Sequence, residues 1–269
     1  MDEESKGKKE EAKERSAPEG SVVYEAILEE GESELDRATS ALAWSGLAAG
    51  LSMGFSLIGK AVLHHHLPDA EWTPLVSNFG YAFGFLIVIL GRQQLYTENT
   101  LTVILPFLRK RRLAILGNIA RLWLVVLLAN LAGAFAFAAV MARTTAVSPG
   151  VRESMRHLGE EAMRGDFATT LLRAIFAGWL IAVMVWLLPF AEQLRTIVIV
   201  LITYLVGIGH FPHIVAGAVD VFFLVAEGTK GLGEVATYFI LPTLIGNTIG
   251  GVTLVAILGH LQHGEGVDA

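Results

Sequence analysis

His213 stands in the run Gly209-His210-Phe211-Pro212-His213, between the apolar stretches 196–208 and 214–226. A histidine at such a break is a candidate for proton exchange, because an unperturbed pKa of about 6.5 suits it to that task near neutrality. A second polar break, Arg92-Gln93-Gln94-Leu95-Tyr96-Thr97-Glu98-Asn99, interrupts another apolar stretch. Thr97 and the free backbone N–H groups there suit an anion, since helix N-termini attract negative charge. The two breaks together predict a mechanism. The anion of a weak acid enters, takes a proton at or near His213, and crosses a greasy constriction as the neutral acid. That avoids moving a bare charge through hydrocarbon. The competing reading is a histidine that only caps a broken helix.

The other ionisable residues point to less. His210 lies three residues before His213, but a two-histidine metal site lacks a further ligand nearby, so neither metal nor cofactor is expected. His64–His66 read as a solvated loop, and His260 and His263 as helix-end residues. Arg92 and Glu98 flank the first break and are read as a pair or as snorkelling side chains. Arg173 and Asp220 are intramembrane charges that would pair with each other or line a water path. With no Cys and no His-Glu-x-x-His, an enzyme is not expected.

The elements that must position these residues are membrane helices. Of 269 residues 53% are hydrophobic and only 17% charged, with a mean hydropathy of +0.55. A soluble domain carries about 25% charged residues. Residues 1–37 hold 13 acidic and 6 basic residues of the chain's 26 and 20, so the remainder is nearly neutral. No basic face for a nucleic acid is present in this pattern. The first apolar run begins only near residue 38, so the head does not read as a secretory signal. From about Val22 to Arg37 an amphipathic helix is expected.

A membrane helix needs about 20 apolar residues. Six crossings are predicted: 39–63, 75–108, 113–142, 167–191, 196–226 and 235–259. The second and fifth break near their middles, and residues 143–166, with Pro149 and Gly150, read as a polar loop. Paired interruptions in two halves point to a site at the midplane. Asn130-Leu131-Ala132-Gly133 in the third span and Asn247-Thr248-Ile249-Gly250 in the sixth repeat one helix-packing pattern, with Gly246 beside the second Asn. The division expected is a charged cytoplasmic segment 1–37, a transmembrane domain 38–262 and a cytoplasmic tail 263–269. The basic cluster Arg109–Arg112 places both termini in the cytoplasm.

Gln94-Leu95-Tyr96-Thr97-Glu98-Asn99, His213-Ile214-Val215-Ala216 and Gly246-Asn247-Thr248-Ile249-Gly250-Gly251 resemble three motifs of the formate/nitrite transporter family. The resemblance covers roughly residues 38–260. It implies an all-α membrane protein with six transmembrane helices, an aquaporin-like inverted repeat of three and three. It implies a homopentamer in the bacterial inner membrane, in contact with lipid, with one pore per protomer. The function implied is a channel for small monovalent anions of weak acids such as formate or nitrite. Thr97 would face His213, with Tyr96 as the aromatic beside the threonine. Phe85 would form the cytoplasmic constriction, and Tyr81 and Val206 the outer one. A vestibule lysine of the family falls here on Ala162, flanked by Glu161 and Arg164. Two asparagines of the family fall on Gly178 and Gly217. The missing lysine motivates an alternative: a pathway for a small weak base or neutral solute such as ammonia.

Overall fold

The structure, a computed structural model, describes residues 19–263. The expected charged stretch 1–18 and the tail 264–269 lie outside them. All the regular structure among the described residues is helical. The first helix, α1 (Gly20–Asp36), buries Tyr24, Ile27, Leu28 and Leu35 at spacings of three, four and seven, which gather on one face. Two extended residues, Arg37 and Ala38, separate it from α2 (Thr39–His66). Then come α3 (Thr73–Leu90), α4 (Tyr96–Thr102), α5 (Ile104–Lys110) and α6 (Leu113–Arg143). The second half of the chain holds α7 (Pro149–Ala162), α8 (Phe167–Leu187), α9 (Arg195–Ile208), α10 (Ala216–Glu227) and a last helical run, α11 (232–263), with two π-helical segments.

Among the described residues, four helices are long and apolar enough to cross a membrane: Thr39–His66, Thr73–Leu90, Leu113–Arg143 and Phe167–Phe190. Their outward faces carry Trp44, Leu124, Leu128 and Leu172, all more than half exposed. Such a surface suits lipid or another copy, not water. In the predicted second span, Thr73–Leu90 is 18 residues long, and the non-helical segment 91–95 separates it from the short helices α4 and α5.

The expected loop 143–166 is largely helix α7. Ser148 caps it by accepting the Val151 N–H at 3.3 Å, and Pro149 occupies the first turn, where a missing N–H costs nothing. Pro149 thus opens a helix where it had read as a loop residue. Val151, Met155 and Leu158 then seat α7 against the bundle. Asp166 caps α8 through the Thr169 backbone N–H at 2.7 Å, and this hydrogen bond holds the Asp166 carboxyl below its usual value.

Two non-helical segments, 91–95 and 209–215, are built alike. Each follows a helix that ends in a glycine, Gly91 or Gly209, whose N–H bonds the carbonyl four residues back. The next residue is left-handed: Arg92 at φ 52° and His210 at φ 49°. Then Gln93 donates to the Val88 carbonyl and Phe211 to the Val206 carbonyl, both at a separation of five. An asparagine from a distant helix closes each segment. Asn130 Oδ1 accepts the Tyr96 N–H at 2.9 Å, and its Nδ2 donates to the carbonyls of Gln94 and Gly46. Asn247 Oδ1 accepts the Ile214 N–H at 2.8 Å, and its Nδ2 donates to the carbonyls of Pro212 and Ala174. Both side chains are fully buried.

Glycines let the helices come close enough for this. A Cβ on Gly50 would collide with the Asn130 carbonyl, and one on Gly178 with the Asn247 carbonyl. Gly133 lies against the backbone of Leu47 and Leu51, and Gly250 against that of Ile175 and Trp179, at the same offsets. The position where the family pattern has an asparagine, Gly178, is therefore one where this backbone leaves no room for a side chain.

Replacing either asparagine by alanine leaves one buried N–H and one open-segment carbonyl without a partner. Asn130→Ala and Asn247→Ala should each lower stability by about 2–3 kcal/mol. Thermal denaturation in detergent checks this; two variants that melt with the parent would refute the closing role.

Candidate functional site

The segment 91–95 delivers Thr97 to the first turn of α4, and the segment 209–215 delivers His213 just before α10. The two side chains meet: Thr97 Oγ1 lies 2.8 Å from His213 Nε2. Both are buried, at 0% and 1% exposure. The other ring nitrogen, Nδ1, accepts the N–H groups of Val215 at 3.3 Å and Ala216 at 3.2 Å. An Nδ1 that accepts from two amides carries no hydrogen, so in the neutral ring Nε2 bears it and donates to Thr97 Oγ1. The histidine caps α10 with one nitrogen and presents a proton with the other. The capping role weighed from the sequence is thus observed, and the remaining N–H faces Thr97.

Aromatic rings close around this pair. Phe85 is fully buried with its ring centroid 5.0 Å from that of His213, edge to face. Tyr81, one turn earlier on α3, lies 5.2 Å from Phe85. Val206 on α9 is fully buried. Tyr96 points elsewhere: its hydroxyl is 2.9 Å from Thr248 Oγ1, and its ring meets Trp123.

Two cavities approach the pair from opposite ends of α2. The first, of about 450 Å³, is lined by Glu30, Glu34 and Arg37 near the start of α2 and by Gln94, Glu98 and Asn99 around Thr97. The second, of about 240 Å³, is lined by Tyr81, Val206, Pro212 and Gly217 around His213 and by Lys60 near the end of α2. At 1.5 Å per residue, Lys60 stands roughly 30 Å along the helix from Thr39, about the thickness of a hydrocarbon core. Glu161, Ala162 and Arg164 all line the second cavity, as do His210, Arg173 and Asp220. Phe239, from a π-helical part of α11, fills the space beside Gly217, where a Cβ would meet its ring. A side chain at 217 would have to displace that ring.

The first cavity is roofed by α1. Glu34 accepts from Gln94 Nε2 at 2.8 Å, and Gln94 Oε1 accepts from Asn99 Nδ2 at 2.9 Å. Glu25 pairs with Arg109 at 2.6 Å and Glu32 with Lys110 at 2.9 Å. Tyr24 Oη lies 2.8 Å from His260 Nδ1.

Of the alternatives drawn from the sequence, neither ion pair forms among the described residues. Arg92 meets Glu30 of α1 at 3.5 Å and leaves Glu98 to the cavity wall. Arg173 and Asp220 line one cavity without forming an ion pair among the described residues. His210 faces Glu161 at 3.8 Å. No group of three His, Cys, Asp or Glu side chains is placed to hold a metal among the described residues. Lys60 is the cation that sequence reading passed over. The signal was present, a single lysine inside the apolar run 39–63, but a span search averages it away.

Comparison with known proteins places this geometry. The profile of a family described as "Formate/nitrite transporter" matches residues 21–261. The chain is 40% identical over 262 residues to "Inner membrane protein YfdC" of Escherichia coli (strain K12), covering 97% of this chain and 84% of that protein. It is 26% identical over 245 residues to "Formate channel BtFdhC" of Bacillus thuringiensis, covering 87% and 91%. Among solved structures, a "Pentameric formate channel with formate bound" superposes with a TM-score of 0.71 at 17% identity, covering 84% of this chain and 99% of that one. An "FNT family ion channel" gives 0.77 at 16% identity, covering 90% and 98%. These two share the fold.

The capping role of His213 can be tested apart from its ring proton. An asparagine at 213 keeps an acceptor for the Val215 and Ala216 amides; a leucine does not. His213→Leu should therefore destabilise the protein by about 1–3 kcal/mol more than His213→Asn. Equal melting of the two variants in detergent would remove the capping role.

Proposed function

Because the chain belongs to the formate/nitrite transporter family, we propose that it is a multi-pass inner-membrane channel for small monovalent anions of weak acids, of the formate or nitrite type. The observation that carries this reading is the buried Thr97–His213 pair between two polar cavities. The path runs through each protomer, from the cavity under α1, past Thr97, His213 and Phe85, to the cavity at Lys60. The chain crosses six times, with α3 to α5 and α9 with α10 as the two interrupted crossings of an inverted repeat. Both termini face the cytoplasm, where Arg109 and Lys110 lie. The apolar outer surface serves lipid and the neighbouring copies of a homopentamer. No chemical conversion of the solute is part of this reading.

The physics at the pair is that of a selective barrier. His213 Nε2–H and the Thr97 hydroxyl are the polar groups offered to a solute there, beside the ring of Phe85. A bare anion loses its hydration at such a place, and a neutral acid loses far less. The solute therefore takes a proton at or near His213 and crosses as the acid, with Nε2–H and Thr97 Oγ1 replacing part of its water shell. Tyr81 and Val206 narrow the outer approach. A second reading, passage of a small weak base such as ammonia, is motivated by Glu161 and Asp220 in the outer cavity and by alanine at 162.

Proteoliposome flux for formate, nitrite and methylammonium, with internal pH recorded, separates the two. Formate or nitrite entry with a matching proton supports the anion reading; methylammonium entry alone refutes it. His213→Asn and Thr97→Val should still assemble and should each reduce anion flux by about tenfold or more. If both variants conduct like the parent, the solute is not held at this pair.

A further inference from the structure

Asp220 is a buried carboxylate that the path through Thr97 and His213 does not use. It is only 6% exposed, lines the outer cavity, and forms no hydrogen bond or ion pair among the described residues. A carboxylate taken out of water without a partner is costly, so such a group either carries a proton or awaits a ligand. The charges that act on it are Lys60 and Glu161. Lys60 reaches the same cavity from α2, half-buried, with its ammonium 5.5 Å from the centroid of the Tyr81 ring. It too has no ion-pair partner among the described residues. Lys60 and Asp220 thus face a single cavity.

The wider surroundings are mixed in sign. From α3 comes Tyr81, from α7 and the turn after it Glu161 and Arg164, from α8 Arg173, and from the segment after α9 His210. Arg164, Arg173 and His210 are exposed, so water reaches this cavity. α6 and α11 also pack on α10 but add no ionisable side chain to the lining.

We propose that Lys60 and Asp220 form a loading site for the anion of a small weak acid, in which Lys60 holds the anion and Asp220 supplies its proton. This rests on the anion reading above and deepens it by naming Asp220, in the cavity beside His213, as the nearby group that supplies the proton. The anion docks on the Lys60 ammonium. The Asp220 carboxyl O–H bond breaks, its electron pair stays on the carboxylate, and a new O–H bond forms on the anion. The neutral acid moves inward to Phe85 and His213. The Asp220 carboxylate regains a proton from water at the cavity mouth. The carboxylate left behind also repels a second anion until it is reloaded, so one proton accompanies each anion.

Full-length protein in proteoliposomes, with formate as the probe, tests this. In the parent, uptake should be electroneutral: one proton lost from outside per formate, and no response to an imposed membrane potential. Asp220→Asn keeps the size and removes the proton; uptake should fall by about tenfold or more, and what remains should follow the potential. Lys60→Met should raise the half-saturating formate concentration several-fold with little change in maximal rate, and Lys60→Arg should restore it. An Asp220→Asn variant with parental, electroneutral uptake overturns the proposal. If that variant fails to assemble, the lysine pair decides, because Lys60→Met with parental half-saturation overturns it equally. A parent inert to formate refutes the proposed function itself. A parent that carries methylammonium and loses it in Asp220→Asn makes this a cation site and also overturns the proposal.

Discussion

Everything at the candidate site depends on how two stretches of backbone are kept out of helix in the interior of an apolar bundle. A peptide group there has no water to bond, so each unpaired N–H or C=O is a serious penalty. The protein meets it with one side chain per segment. Asn130 and Asn247 each offer one acceptor and two donors, and each uses all three on backbone: two groups of the open segment and one of a neighbouring helix. No other side chain of that size has both kinds of group in one plane. The glycines that surround them, Gly50 with Gly133 and Gly178 with Gly250, are the condition for that reach.

The two halves obey the same rule and then part company beside it. Counting from the backbone N–H that each asparagine accepts, the residue before it is Leu95 in one half and His213 in the other, and the residue after it is Thr97 in one and Val215 in the other. The hydrogen-bonding chemistry arises where the repeat is broken: a threonine from one half meets a histidine from the other. The framework is shared, and the polar pair is not.

How much of this could be read beforehand follows from what each signal encodes. The Asn-x-x-Gly pattern was legible because small residues and a buried amide leave a mark in any apolar helix. That Gly46 and Ala174 hold equivalent places was not, since one is glycine and the other alanine, and what matters is their carbonyl. Thr97 opposite His213 came from a family resemblance; spacing alone says nothing about two residues 116 apart. Helix α7 was missed because Pro149-Gly150 reads as a turn, and only the Ser148 cap makes it a beginning. The sequence left the partners of Arg92 and Asp220 open because the choice among several charges depends on packing. Lys60 was hidden by the apolar residues around it.

The asparagine closures act on main-chain atoms alone, and that bears on how such a protein can diverge. A hydrogen bond to a peptide group is indifferent to the side chain that group carries. Residues 95, 97 and 215 can therefore be exchanged over generations while the open segments keep their shape. His213 is the exception, because its own ring also caps α10. A lineage built on this scaffold can vary the lining at a few interior positions without first passing through an unstable ancestor.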